Sequence, residues 1–210
     1  MRLLVEAGVL TFGEFTLKSG RMSPYFFNLG ALNTGSAVQS LGEAYAGRIL
    51  AAGLEFDVVF GPAYKGIPIA VATAEALSRR GRDCAWAFNR KEPKDHGEGG
   101  AFVGGDVSGR VLLVDDVLTA GTAIREAVGL IQRVGGAVAG VVIALDRREL
   151  NDDGRTSVDA LAEELGVTVT SLLTLEDVIG YLDAEPGGDK HRSVLRQRIE
   201  AYREAYCARG

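Results

Sequence analysis

The sequence predicts an α/β fold whose central, mostly parallel sheet is covered by helices on both faces. Strand-like and helix-like segments alternate along most of the chain. The strands read as continuous apolar runs, such as AVAGVVIAL at 137–145. Strands buried on both faces have this composition, and their alternation with helices produces parallel pairs. The 210 residues are enough for one such domain with additions.

The elements of this core follow from apolar periodicity and turn residues. In chain order they are strand 55–62, helix 67–81, strand 83–90, strand 110–116, helix 122–136, strand 137–147, helix 157–167 and strand 168–174. Pro68 is tolerated in the first turn of its helix, and Gly81 ends that helix. The pair Gly135 and Gly136 ends the helix before the longest apolar strand.

The two ends of the chain depart from this pattern. Residues 12–28 alternate in polarity and carry turn residues, which predicts short antiparallel strands. Residues 35–53 and the segment from Lys190 onward have helical spacing. We therefore interpret residues 1–30 and about the last thirty residues as additions to one core domain.

Composition argues against several classes of function. A formal net charge of −5 is unfavourable for a general nucleic-acid binder. Cys84 and Cys207 lie far apart and in no paired motif, which predicts a reducing, cytoplasmic compartment. Glu6 and Gly8 interrupt the apolar start, so a signal peptide is not expected.

Residues 111–123, VLLVDDVLTAGTA, carry the strongest functional signal. Asp115 and Asp116 stand at the carboxyl end of a predicted strand, where open parallel sheets bind ligands. The next residues can begin a helix, whose free N–H groups favour an anion such as a phosphate. Carboxylates would repel a phosphate that they touched, but they can accept hydrogen bonds from the hydroxyls of a sugar whose phosphate the loop holds. A ribose 5-phosphate has this arrangement of groups. A turn with a helix cap is the alternative for a bare Asp-Asp pair, and no Walker or dinucleotide-binding motif is present.

A basic segment begins at the end of the predicted strand 83–90. The sequence NRKEPKDHGEGG at 89–100 contains Arg90, Lys91, Lys94 and His96, with glycines close behind. We interpret it as a mobile lid that closes over a polyanion such as a departing diphosphate. A solvated surface loop is the alternative.

The segment GPAYKG at 61–66 also follows a strand, so we expect it at the same edge of the sheet as Asp115. Pro62 and the flanking glycines suit a tight loop whose amides point at an anion, and Lys65 adds positive charge. An exposed lysine in an ordinary turn is the alternative interpretation.

The segment VLLVDDVLTAGTA resembles the ribose-phosphate motif of the type I phosphoribosyltransferases, which use 5-phosphoribosyl 1-diphosphate as donor. With FGEFTLKSGRMSPYFFN, GPAYKGIPIA, FNRKEPKDHGEGG and LDRRE, the chain resembles the orotate phosphoribosyltransferase family over nearly its whole length. The phosphate motif is shared across the superfamily and cannot identify the base. The N-terminal segment and the basic loop distinguish the orotate family from families that use other bases. The resemblance implies a type I phosphoribosyltransferase fold in a single domain, 1–210. Its small N-terminal hood would be 1–30 and its mobile catalytic loop 90–105.

The resemblance also implies the reaction and the residues that perform it. Ribose 5-phosphate would pass from the donor to orotate, giving orotidine 5′-monophosphate and diphosphate in de novo pyrimidine (UMP) synthesis. The implied catalytic residues are Lys65, Lys94, His96, Asp115 and Asp116. The implied donor-binding residues are Lys18, Tyr64, Lys65, Arg90, Lys91, Lys94, His96, Asp115, Asp116, Val117, Leu118, Thr119, Ala120, Gly121, Thr122 and Ala123. Orotate would contact Phe26, Phe27, Thr119 and Arg147, with the arginine at its carboxylate.

The resemblance further implies Mg²⁺, held mainly by the donor and not directly by protein ligands. It implies a cytoplasmic homodimer in which Lys91 serves the neighbouring subunit, without nucleic-acid or membrane partners. Two alternatives stay open. A phosphoribosyltransferase for another base, such as a purine, would keep residues 111–123 without needing Arg147. A regulator that senses the donor and binds nucleic acid would need a basic face or an added DNA-binding segment.

Overall fold

The structure, a computed structural model, describes residues 1–17, 19–94, 100–118, 120–184 and 190–208. Its elements are α1 (Arg2–Glu6), β1 (Leu10–Thr16), β2 (Met22–Phe27), a 3₁₀ turn (Leu29–Ala31), α2 (Gly35–Ala51), β3 (Val58–Phe60), α3 (Gly66–Arg79), β4 (Ala85–Lys94), β5 (Gly100–Gly104), β6 (Arg110–Val117), α4 (Thr122–Arg133), β7 (Ala137–Asp146), α5 (Ser157–Leu165), β8 (Val169–Thr174), α6 (Leu175–Asp183) and α7 (Lys190–Tyr206). Within the described ranges, none of these helices has the length and apolar content needed to cross a bilayer.

Contacts within the chain divide it into two compact units. The larger unit comprises Thr34–Asp146 and Val158–Leu172. The smaller unit comprises Met1–Asn33, Arg147–Ser157 and Leu173–Gly210, so both terminal segments fall in it.

The larger unit is built on a six-stranded sheet in the order β5-β4-β3-β6-β7-β8. Strand β3 pairs in parallel with β4 and β6, and β6 pairs in parallel with β7. Strand β5 is antiparallel to β4 and forms one edge. This architecture confirms the predicted α/β class with a mostly parallel sheet. It brings the carboxyl ends of β3, β6 and β7 to one edge of the sheet.

Burial of the central strands explains their uniformly apolar sequence. Val58–Phe60 of β3 and Val111–Val114 of β6 are 0% exposed. Helix α4 buries Ile124, Val128 and Ile131 in the same hydrophobic core, at the predicted helical spacing. Each such side chain contributes roughly 1.5–3 kcal/mol when it is fully buried. The core therefore fixes where β6 ends and where α4 begins.

The smaller unit packs a two-stranded antiparallel sheet against the C-terminal helix. Strands β1 and β2 pair as the sequence predicts for residues 12–28. Tyr25 of β2 is fully buried and meets Tyr202 of α7 edge to face, with ring centroids 6.3 Å apart. Leu195 and Ile199 are also buried, so one apolar stripe of α7 supplies the packing surface.

The structure extends one predicted strand and adds elements that the sequence did not predict, among them β5. Strand β4 continues past its predicted end to Lys94, because β5 pairs beside it, as at Asn89 and Phe102. Helix α6 is missing from the predicted elements, although Thr174 and Asp177 form a capping box at its start. The short helix α1 is also missing, since it offers little periodicity.

We expect Gly42→Ala to lower the free energy of unfolding by about 1–3 kcal/mol, the usual cost of overpacking. A Cβ atom on this residue of α2 would overlap the carbonyl oxygen of Ala72 in α3. Gly47→Ala in the same helix is the matched control. Its Cβ would meet only the end of the Arg80 side chain, at 3.7 Å. Urea unfolding followed by circular dichroism measures both variants, and equal stabilities would contradict the packing argument.

Candidate active site

Two carboxylates stand at the carboxyl end of β6, in the middle of the sheet of the larger unit. Asp115 is partly buried and Asp116 is 9% exposed. Asp115 Oδ1 accepts a hydrogen bond from the Asp116 amide at 2.9 Å. Asp116 Oδ1 accepts one from the Val117 amide at 2.8 Å. Both side chains are thereby fixed at the strand end where the sequence places them.

Tyr45 of α2 supports this strand end from within the core. Its side chain is fully buried, and its hydroxyl donates to the carbonyl oxygen of Asp115 at 2.7 Å. Burial, followed by the negative charge of Asp116, raises the pKa of Asp115 to about 6. A carboxyl group in this environment gains from a positive charge that develops beside it.

Lys65 brings a positive charge to the same end of the sheet. Its Nζ lies 2.6 Å from Asp116 Oδ2. The lysine side chain is 63% exposed, whereas that of Asp116 is 12% exposed. The ammonium group is therefore paired with a buried carboxylate and is still accessible to an anion from solvent.

The loop that carries Lys65 depends on two glycines in close contact. A Cβ atom on Gly61 would overlap the carbonyl group of Gly66, so a side chain does not fit there. The Ala63 amide donates to Asn89 Oδ1 at 2.9 Å, and Asn89 is 7% exposed. The peptide bond between Ala63 and Tyr64 is cis. Tyr64 is 71% exposed, which leaves its ring free to contact a ligand.

The loop between β6 and α4 presents a helix N-terminus. Leu118 anchors it in the hydrophobic core, and Gly121 adopts a φ of 70°, a conformation that favours glycine. Gly121 is the N-cap of α4 and has no side chain to accept a bond from the first turn. Thr122 is exposed and Ala123 half-buried. The first-turn N–H groups therefore suit an anion such as a phosphate.

Arg125 of α4 fixes the same loop. It donates to the carbonyl oxygen of Ala120 and to Glu164 of α5, the latter at 2.7 Å. Both partners are exposed, so the contribution of the ion pair to stability is modest. The arginine nevertheless ties the turn at Ala120 to two helices.

The basic segment begins in the second half of β4. Arg90 is half-buried, and its Nε has no hydrogen-bond partner among the residues that the structure describes. Lys91 Nζ lies 3.8 Å from Glu126 of α4. Lys94 ends β4 in register with Gly100. The predicted residues that lie outside the description are Lys18, His96, Thr119 and the side chain of Lys94.

The smaller unit contains the other predicted orotate-binding residues. Phe27 is 8% exposed, whereas Phe26 is 43% exposed and stacks on Phe15 with ring centroids 5.4 Å apart. Adjacent residues of a strand point to opposite faces, which explains the difference. Arg147 follows β7 and is 8% exposed, with its Nε 2.5 Å from Glu149 Oε1.

Comparison of the chain with known proteins identifies its family. Residues 30–171 match the family model of the phosphoribosyl transferase domain. The chain is 51% identical over 212 residues to the orotate phosphoribosyltransferase of Stenotrophomonas maltophilia (strain K279a). That alignment covers 100% of this chain and 95% of the relative. The chain belongs to the orotate phosphoribosyltransferase family.

Solved structures confirm the type I phosphoribosyltransferase fold. The orotate phosphoribosyltransferase of Francisella tularensis superposes with a TM-score of 0.86 at 36% identity, over 99% of this chain and 98% of that chain. The Mycobacterium tuberculosis H37Rv enzyme in complex with 5-phospho-α-D-ribosyl 1-diphosphate gives a TM-score of 0.62 at 29% identity. That match covers 83% of this chain and 94% of that chain.

The structure adds supporting residues that the sequence analysis missed. Tyr45 holds the backbone of Asp115, Asn89 holds the amide of Ala63, and Arg125 holds the turn before α4. Only Arg125 has a local signal, because it lies four residues after Gly121 on the first turn of a predicted helix. The other two act across long sequence separations.

Among the residues that the structure describes, no three His, Cys, Asp or Glu side chains are grouped so that they could hold a metal ion. Asp115 and Asp116 supply carboxylate oxygens, and Asp116 is already paired with Lys65. Two carboxylates fit an Mg²⁺ ion that takes most of its ligands from water and substrate phosphates.

We expect Asp115→Asn to be more stable to urea than the parent chain at about pH 8, with the difference shrinking between about pH 6 and pH 4. The pKa of Asp115 is about 6 when folded, against ~3.9 when unfolded, so the folded state binds the extra proton between these values. The parent chain therefore loses stability as pH rises through this window, and asparagine avoids that loss.

Asp57→Asn is the control with the opposite sign. Hydrogen bonds from the Arg110 side chain and amide lower the pKa of Asp57 below its usual value. Its stabilising contribution is present above the unfolded pKa and is lost as pH falls through the lower folded pKa. This variant should be less stable than the parent at about pH 8. If the stability of both variants relative to the parent changed with pH in the same direction, the opposite pKa shifts of Asp115 and Asp57 would be contradicted.

Proposed function

We propose that this chain is an enzyme that transfers ribose 5-phosphate from 5-phosphoribosyl 1-diphosphate to orotate. The products are orotidine 5′-monophosphate and diphosphate, and the reaction belongs to pyrimidine (UMP) synthesis. Family membership over the full chain supports the substrate pair. The observation that best supports this function is the position of the Lys65 ammonium group. It lies 2.6 Å from Asp116, at the end of the strand that bears both aspartates.

The loop between β6 and α4 binds the 5-phosphate of the donor. Gly121 leaves the first turn of α4 without a side-chain cap, and the helix dipole favours an anion at that place. Residues Val117 to Ala123 line this loop, and the exposed hydroxyl of Thr122 is a further donor to phosphate oxygens. The 2′- and 3′-hydroxyls of the ribose then donate to Asp115 and Asp116.

The reaction needs opposite charges on the two sides of the bond that breaks. A ring nitrogen of orotate forms a bond to the anomeric carbon and releases its proton to solvent, while the bond to the diphosphate oxygen breaks and its electron pair leaves with diphosphate. Asp115 and Asp116 stabilise the positive charge that develops on the ribose. Lys18, Lys65, Lys94 and His96 stabilise the leaving group, together with Tyr64, Arg90 and Lys91 as donor-binding residues. No side chain forms a covalent intermediate.

Lys65 changes partner in this scheme. Its Nζ pairs with Asp116 when no substrate is bound, and its exposed side chain lets a diphosphate compete for the ammonium group. Arg90 has a buried Nε without a described hydrogen-bond partner, which a phosphate oxygen would supply. Both residues then gain strong charge-assisted bonds in the complex.

Orotate binds through Phe26, Phe27, Thr119 and Arg147. The exposed ring of Phe26 gives a flat apolar surface for a pyrimidine. Arginine recognises carboxylates through parallel N–H donors, and orotate carries a carboxylate that uracil lacks. This residue set distinguishes orotate from purine bases.

Mg²⁺ would bind with the donor, held mainly by diphosphate and ribose oxygens, with Asp115 and Asp116 acting through ribose hydroxyls or water and not as direct ligands. The ion neutralises charge on the diphosphate. The enzyme is a cytoplasmic homodimer in which Lys91 serves the neighbouring subunit. Both cysteines are free, which supports a reducing compartment.

We expect purified protein with Mg²⁺ and 5-phosphoribosyl 1-diphosphate to consume orotate, followed by the loss of its absorbance. Lys94→Ala should lower kcat by roughly 100-fold or more, since the lysine acts on charge that develops in the transition state. Arg79→Ala is the control and should retain the parent rate, because this cation pairs with Glu43 and Glu75 and is not among the proposed site residues. Turnover of a purine without orotate would contradict the proposed substrate. Donor binding without turnover of any base would favour a regulator.

Mixed dimers test the shared site. We expect Lys91→Ala subunits mixed with Asp116→Asn subunits to recover activity that neither variant has alone. One of the two sites in such a hybrid would contain an intact Asp116 and the partner's intact Lys91. The measurement is orotate consumption after subunit exchange, compared with each unmixed variant. Absence of recovery in hybrids that are shown to form would contradict the exchange.

A further inference from the structure

The guanidinium group of Arg147 is fixed on two of its three nitrogens. Nε lies 2.5 Å from Glu149 Oε1. Nη2 donates to Ser23 Oγ at 2.9 Å and lies 3.5 Å from Tyr202 Oη. The group also covers the ring of Tyr25, with its central carbon 4.2 Å from the centroid. None of these contacts uses Nη1.

The hydrogen atoms of this network have defined directions. The Tyr202 hydroxyl donates to Glu149 Oε1 at 2.7 Å, and the Ser23 hydroxyl donates to the carbonyl oxygen of Tyr25 at 2.6 Å. Both hydroxyls therefore act as acceptors toward Arg147, and Ser23 Oγ also accepts from the Tyr25 amide at 3.3 Å. Burial and the hydrogen bond to Glu149 raise the pKa of Tyr202 above its usual value, so the phenol keeps its proton.

The charges of the network leave room for one anion. Glu149 is shared by two guanidinium groups, because Arg21 Nη1 lies 3.9 Å from Glu149 Oε2, whereas Arg147 meets Oε1. Arg21 in turn covers the ring of Tyr206 at 5.1 Å. These three ionised groups sum to one positive charge, which a bound carboxylate would balance.

Hydrogen bonds also fix the backbone around the network. Residues 147–150 run beside the end of α7, and the Leu150 amide donates to the carbonyl oxygen of Tyr206 at 2.8 Å. The Ala208 amide donates to the carbonyl oxygen of Arg148 at 2.8 Å. This pair of backbone bonds, here called the C-terminal latch, fixes the distance between the arginine segment and the helix that carries Tyr202.

We infer that Glu149 and Tyr202 are positioning residues that orient Arg147 toward the carboxylate of the pyrimidine substrate. Glu149 occupies Nε, while Tyr202 and Ser23 occupy Nη2, so among the residues that the structure describes the two N–H donors of Nη1 are left for the substrate. The inference rests on the proposed function, which assigns the orotate carboxylate to Arg147. Neither positioning residue touches the reacting atoms.

A purely structural role is the competing explanation. Removing the partner of a buried arginine leaves an uncompensated charge and destabilises the fold. Such a role would lower stability without selecting between substrates. A positioning role would change the Michaelis constant for orotate and spare the donor and any pyrimidine that lacks the carboxylate.

The test compares Tyr202→Phe, Glu149→Gln and Glu149→Ala with the parent enzyme. Tyr202→Phe keeps the ring packing and removes only the hydroxyl. We expect it to raise the KM for orotate roughly 10-fold, the usual effect of losing a hydrogen bond to a charged group. Glu149→Ala should raise it further, and Glu149→Gln should recover part of the loss because its amide oxygen still accepts from Nε. The KM for the donor and the inhibition constant of uracil should stay at parent values.

Glu200→Gln is the matched control, because Glu200 pairs with Arg196 at 3.1 Å in the same helix and does not contact the network. Its KM for orotate should equal that of the parent, and urea unfolding records the stability of every variant. Unchanged orotate KM in Tyr202→Phe and Glu149→Gln, or an equal loss of uracil binding, would overturn the positioning role. A parent enzyme that consumes no orotate would overturn the proposed function itself.

Discussion

Burial of β6 on both faces is the constraint on which the active-site region of the larger unit depends. Val111–Val114 are 0% exposed, so after Arg110 at its start the strand next carries charge at its carboxyl end. Two carboxylates at that end are costly to ionise side by side, and the raised pKa of Asp115 reports the cost. Lys65 offsets part of it at Asp116. The negative charge that Lys65 does not compensate favours a ligand that develops positive charge during its reaction at this place.

The smaller unit applies the same principle with the charges reversed. Arg147 is an ion removed from water, and Glu149 compensates it at Nε. In both units the compensating group leaves part of the buried ion available. Lys65 is still exposed to solvent, and none of the described contacts of Arg147 uses Nη1. Partial compensation keeps the apo protein stable while a substrate of opposite charge still gains binding energy.

The sequence predicted the features that depend on local pattern. The buried strands, the face of α4 and the position of Asp115 and Asp116 all follow from periodicity and strand ends. Residues joined only by folding were out of reach: Tyr45 meets Asp115 across 70 positions, and Tyr202 meets Glu149 across 53. Strand β5 was missed because its glycine-flanked run of three apolar residues becomes a strand only through pairing with β4. Helix α6 was not predicted, although Thr174 and Asp177 have the spacing of a capping box at its start.

The C-terminal latch has an evolutionary consequence. Its two bonds join main-chain atoms of Leu150, Tyr206, Ala208 and Arg148, so most substitutions of these side chains leave both bonds intact. Selection on the latch would act against proline at the two donor positions and against insertions or deletions, rather than on residue identity. In a comparison of homologues it would therefore appear as constant spacing within each of the two segments, from Arg148 to Leu150 and from Tyr206 to Ala208, with side chains free to vary.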